Sequence, residues 1–140
     1  MSRADLNLAV RETLNNQSGQ IYGGANVQIN ASSVNNSQQG QISAQDALNI
    51  ISAGLIDNEA GSMVANHNIS LSAQGLNNRQ GQIGSIQGGL SVDAGNQAVD
   101  NQSGLLQSKA DLTVKALSLD STARPDNFAR RRLICKASKK

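Results

Sequence analysis

Aromatic side chains are nearly missing from this chain of 140 residues: Tyr22 and Phe128 are the only two, and there is no tryptophan. A globule with one central core usually fills volume with several aromatics, so that architecture is disfavoured. The core has to be built from Leu, Ile, Val and Ala, which suits thin layers. Cysteine is limited to Cys135, which rules out an intramolecular disulfide, and no Cys/His set has metal-ligand spacing. No apolar run approaches the ~18 residues of a membrane-spanning helix. The opening MSRADLNLAVRETL also lacks the apolar centre of a secretory signal, so no export address is read there.

Hydrophobic residues make up only 38% of the chain, against an abundance of Gly, Asn, Gln and Ser. Such a composition fits a disordered polar chain unless the apolar residues are regularly placed. Charge is unevenly placed too. Residues 1–123 hold five basic and nine acidic residues, a balance of −4, whereas residues 124–140 hold seven basic residues and one acidic, a balance of +6. The net +2 therefore hides a mildly acidic body and a basic tail.

The apolar residues are regularly placed. A turn-like element reads LNNQSG at 14–19, VNNSQQG at 34–40, IDNEAG at 56–61, LNNRQG at 76–81 and VDNQSG at 99–104. Its glycines, Gly19, Gly40, Gly61, Gly81 and Gly104, recur about every 21 residues. Two positions after each comes Ile21, Ile42, Met63, Ile83 or Leu106. A second element has the same period: LNLAV at 6–10, VQINA at 27–31, LNIIS at 48–52, ISLSA at 69–73, LSVDA at 90–94 and LTVKA at 112–116. Apolar and polar residues alternate in it, as in a strand with one buried face.

One such unit has too little apolar surface to close a core, so stability must come from stacking each copy on its neighbours. A period near 21 without a helical stretch predicts an all-β fold, a parallel β-helix of about six coils. At the ~4.8 Å strand spacing this is a rod roughly 25 Å long. In each turn the second Asn, at Asn16, Asn36, Asn58, Asn78 and Asn101, is expected to stack into a ladder of side-chain amides. The glycines are expected to supply positive-φ corners. The first stretch, NLAVRETL, fits either the opening strand or a short helix over the first coil.

The pattern aliphatic-Asn-Asn-x-x-Gly-x-Ile followed by Leu-x-Leu-x-Ala resembles the haemagglutinin repeat of filamentous haemagglutinin. That repeat also occurs in related bacterial two-partner-secretion exoproteins, including the stalks of contact-dependent growth-inhibition toxins. The likeness covers roughly residues 4–123. It implies a right-handed β-helix in a non-catalytic, cofactor-free adhesive segment of a secreted surface protein. The parent would have an outer-membrane secretion partner and a receptor on a host or neighbouring cell.

After LSLDSTA the expected Asn/Gly turn gives way to RPDNFARRRLICKASKK, residues 124–140, with the only Pro, Phe and Cys and no Gly. This segment reads as an irregular basic appendage or as a non-native continuation of a broken repeat array. Arg130, Arg131 and Arg132 are its candidates for binding anions or nucleic acid. The two ends show no capping element, which predicts end-to-end self-association.

Catalytic chemistry finds little support. Acid/base work on a glycosidic bond, the activity of some β-helix lyases and hydrolases, needs two carboxyl groups about 5–9 Å apart. Asp57 and Asp100 occupy equivalent turn positions two coils apart, with Asn77 between them. Asp93 falls in a variable strand column, and His67, the only histidine, lies in a surface turn. A polysaccharide-directed β-helix is the competing reading, and the scarcity of aromatics for sugar stacking weighs against it.

Overall fold

A computed structural model describes residues 4–120 in full and, beyond them, the backbone of residues 128–129 and 132–137. The alternation seen in the sequence folds into three short strands per repeat. The first coil consists of β1 (Leu6–Ala9), β2 (Thr13–Asn15) and β3 (Gln20–Gly23). The second consists of β4 (Val27–Ala31), β5 (Ser33–Asn35) and β6 (Gln41–Ala44), and the third of β7 (Leu48–Ser52), β8 (Ile56–Asp57) and β9 (Ser62–Ala65). β10 (Ile69–Ser72), β11 (Leu76–Asn77) and β12 (Gln82–Ser85) form the fourth; β13 (Leu90–Asp93), β14 (Ala98–Asp100) and β15 (Leu105–Gln107) form the fifth. A sixth begins with β16 (Asp111–Ala116) and β17 (Ser118–Asp120).

Corresponding strands of successive coils pair in parallel, giving three sheets that run the length of the molecule. The first sheet follows the order β1-β4-β7-β10-β13-β16, the second β2-β5-β8-β11-β14-β17, and the third β3-β6-β9-β12-β15. The chain is therefore all-β, a parallel β-solenoid, with no helix among the described residues. The opening residues are strand β1, in register with β4 from Leu6↔Val27 to Ala9↔Asn30, and not a helical cover. An apolar Leu6 and Leu8 stacked on Val27 and Ile29 gain more by continuing the column than by turning away from it.

The interior is a set of aliphatic stacks. Val27, Leu48, Ile69, Leu90 and Leu112 form one, and Ile29, Ile50, Leu71, Val92 and Val114 the next, all nearly inaccessible to water. From the third sheet Ile42, Met63, Ile83 and Leu106 point into the same core. This arrangement explains the missing aromatics. Branched aliphatics fill these thin layers at the strand spacing and leave little volume for rings.

The basic segment departs from expectation. It contributes β18 (Phe128–Ala129) to the third sheet and β19 (Arg132–Ala137) to the first. β19 pairs with β16 over six consecutive residues, from Asp111↔Arg132 to Ala116↔Ala137, and β18 places Phe128 beside Leu106. Within the segment expected to be an irregular tail, residues 128–129 and 132–137 are thus paired strand. The sequence explains why: RLICKA at 132–137 repeats DLTVKA at 111–116 with Leu, Lys and Ala in the same places, 21 residues on. Strand pairing follows apolar alternation, and the change of composition that marks off the tail leaves that alternation intact. Of the three arginine candidates, Arg132 opens β19 opposite Asp111, while Arg130 and Arg131 lie outside the described residues.

Candidate functional site

The most regular polar feature of the molecule lies where the second sheet turns into the third. The side chains of Asn16, Asn36, Asn58, Asn78 and Asn101 stack along the solenoid, and the last four are completely shielded from water. Each Nδ2 donates to the Oδ1 of the next: Asn16 to Asn36 at 2.7 Å, Asn36 to Asn58 at 2.8 Å, Asn58 to Asn78 at 2.8 Å and Asn78 to Asn101 at 2.7 Å. The second hydrogen of each amide reaches a main-chain carbonyl of the following coil, Gln41, Ser62, Gln82 or Leu105, at 3.0–3.2 Å. Every amide dipole therefore points the same way along the rod. A buried polar column is tolerated because each member is satisfied by its neighbours.

The glycines beside this ladder have a different role from the one expected. Positive φ occurs one residue earlier, at Ser18, Gln39, Ala60, Gln80 and Ser103. Gly19, Gly40, Gly61, Gly81 and Gly104 are not in that region. They are small because a Cβ on Gly40, Gly61, Gly81 or Gly104 would collide with the carbonyl oxygen of the ladder Asn one coil earlier. It would also stand 2.5–2.6 Å from the Oδ1 of its own coil's Asn. The left-handed residue is thus a non-glycine under strain. Ala60→Gly is expected to raise stability by about 0.5 kcal/mol, because relief of the ~1 kcal/mol left-handed penalty exceeds the added chain entropy. The midpoint of urea unfolding followed by circular dichroism checks it.

Outside the ladder, the preceding Asx column is Asn15, Asn35, Asp57, Asn77, Asp100 and Asp120. Its side chains cap the turn: the main-chain N–H two residues on donates to Oδ1 at 3.1 Å at Asn15, Asn35, Asp57, Asn77 and Asp100. Asp57 and Asp100 stand two coils apart across Asn77. The register also sets Asp120 directly beside Asp100, an adjacency the sequence reading missed. LSLD at 117–120 echoes QAVD at 97–100, but the lost Asn/Gly turn hid the echo. Both carboxylates are already engaged. The Arg79 guanidinium lies 3.8 Å from Asp100, and Gln102 Nε2 donates to Asp120 at 2.7 Å.

His67, exposed, stands 3.3 Å from the carboxylate of the half-buried Asp46 at the same corner of the preceding coil. Asp93 lies in the first sheet between Ser72 and Lys115. Among the described residues no three His, Cys, Asp or Glu side chains converge as a metal-binding set. What the solenoid does present is surface. On the outer face of the third sheet a recess of about 500 Å³ opens over Gly84, walled by Val64, Ile86 and Leu105 with Lys109 at its rim. Three coils away on the same face, Tyr22 stands 59% exposed.

The haemagglutinin-repeat family model matches residues 2–60, 51–87 and 85–124, which together cover most of the chain. Its matches stop where the Asn/Gly turn is lost, short of β18 and β19. No curated protein and no solved structure gives a significant match.

Proposed function

Because the chain belongs to the haemagglutinin-repeat family, we propose that it is a non-catalytic, adhesive shaft segment of a secreted bacterial surface exoprotein of the filamentous-haemagglutinin kind. The observation that carries this reading is the in-register stacking of near-identical coils on a continuous buried amide ladder. Such a rod extends by adding units and displays each surface position as a column repeated at about 4.8 Å. Contacts are then spread along a face, as suits attachment, and no compact cleft is needed. An outer-membrane secretion partner for the parent protein and a receptor on a host or neighbouring cell complete the proposal.

The test uses the source bacterium and an antibody raised against the folded chain. Intact cells are expected to be labelled, to lose the label on external protease treatment, and to attach less well to their target surface when purified chain competes. Label confined to lysed cells overturns the surface assignment. Undiminished attachment at saturating chain overturns the adhesive one.

A further inference from the structure

The outer face of the third sheet, from the first coil to the fourth, is complementary to itself. Three columns of side chains point outward there, each fixed by the strand registers and the turn hydrogen bonds that follow them. The first reads Gln20, Gln41, Ser62, Gln82, and the second reads Tyr22, Ser43, Val64, Gly84. The third reads Gly24, Gln45, Asn66, Ile86. None of these residues is charged, although the chain has 22 formal charges to place. Tyr22 and Ile86 are among its most exposed large apolar side chains, at 59% and 55%.

We propose that this face joins two copies of the chain side by side in an antiparallel dimer. The symmetry is a two-fold axis lying along the strands, midway between the second and third coils. It sets the first coil of one copy over the fourth of the other, and the second over the third. Tyr22 then enters the recess over Gly84 of the second copy, and Ile86 meets its Gly24. Ser43 covers Val64, while Gln20 faces Gln82 and Gln41 faces Ser62. Each large apolar side chain meets a glycine and each Gln meets an amide or a hydroxyl. A closed two-fold contact requires this self-complementarity. The recess exists because Gly84 has no side chain between its same-face neighbours Gln82, Ile86, Val64 and Gln107. A Cβ added there would come no closer than 3.9 Å to any neighbouring atom.

The face is small. Four coils at ~4.8 Å by about five residues at ~3.3 Å cover roughly 300 Å² per copy, well below the ~800 Å² per partner of a stable interface. The dimer is therefore weak and depends on concentration.

Sedimentation of the full chain under reducing conditions, from about 10 μM to 1 mM, tests it. Emission of Tyr22, the only tyrosine in a chain without tryptophan, is read in parallel. The expected result is a monomer–dimer equilibrium with Tyr22 shielded in the dimer. Tyr22→Gly and Gly84→Tyr singly should each weaken association at least ~tenfold. The double exchange, which swaps knob and hole, should restore it. Ile86→Gln at its exposed position gives an independent loss should Gly84→Tyr fail to fold. The proposal is overturned by a monomer at every concentration, or by folded single variants that associate as the parent does. An exchange variant that folds without dimerising also overturns it. So does a ladder of higher oligomers indifferent to residues 22 and 84, the signature of end-to-end stacking.

Discussion

Gly61→Ala is expected to destabilise the protein by about 3 kcal/mol, more than a change of one methyl group on an open surface would suggest. The added Cβ would be driven into the carbonyl of Asn36 one coil earlier and would lie 2.6 Å from Asn58 Oδ1. Neither neighbour can give way. The Asn36 carbonyl is main chain, fixed between stacked coils, and Asn58 is held by bonds to Asn36, Asn78 and Gln82. Relief requires the coils to separate, which breaks the amide ladder and exposes Ile42 and Met63. The control is Gly84→Ala, whose Cβ meets nothing closer than 3.9 Å and which is expected to shift stability by less than ~0.5 kcal/mol. Urea midpoints for both variants check the pair. Equal effects at 61 and 84 would mean that the ladder corner is softer than its geometry implies.

How much of this was legible in advance depends on which physical constraint wrote each residue. The period, the strand columns and the ladder positions could be read because stacking demands like on like. Val27, Leu48, Ile69 and Leu90 announce a column merely by recurring. The role of the ladder glycines was harder to read. A glycine that avoids a collision and a glycine that takes positive φ look the same in one sequence, and the left-handed position proved to carry Ser, Gln or Ala. Gly84 was illegible for a similar reason. In GQIGS it sits beside a corner glycine, and only the fold separates one that a neighbour's carbonyl requires from one that leaves a recess. β19 was hidden by its charge. Arg132 and Lys136 drew attention to composition, while Leu133, Cys135 and Ala137 continued the alternation of Leu112, Val114 and Ala116.

The amide ladder offers the sharper test of what holds the rod together, because one atom can be changed without changing shape. Asn58→Asp keeps the volume but removes the two hydrogens that now bond Asn78 Oδ1 at 2.8 Å and the Gln82 carbonyl at 3.2 Å. At neutral pH an ionised carboxylate would face two acceptors in a site sealed from water. The loss is expected to be about 4 kcal/mol, in the range reserved for buried groups left unpaired. Burial and the two facing oxygens favour the protonated acid, so its folded-state pKa is raised above the unfolded value near 4. The sign follows from linkage. A group whose pKa is raised by folding gives its full stability below the unfolded pKa and loses it as pH rises through the folded one. The variant should therefore recover part of the deficit between pH 7 and pH 4, where the neutral acid again supplies one donor. The parent, with an amide that does not titrate at position 58, should show no such recovery. Parallel urea titrations at the two pH values read the difference. A variant as stable as the parent at both pH values would show that the ladder contributes through packing and that its hydrogen bonds are incidental.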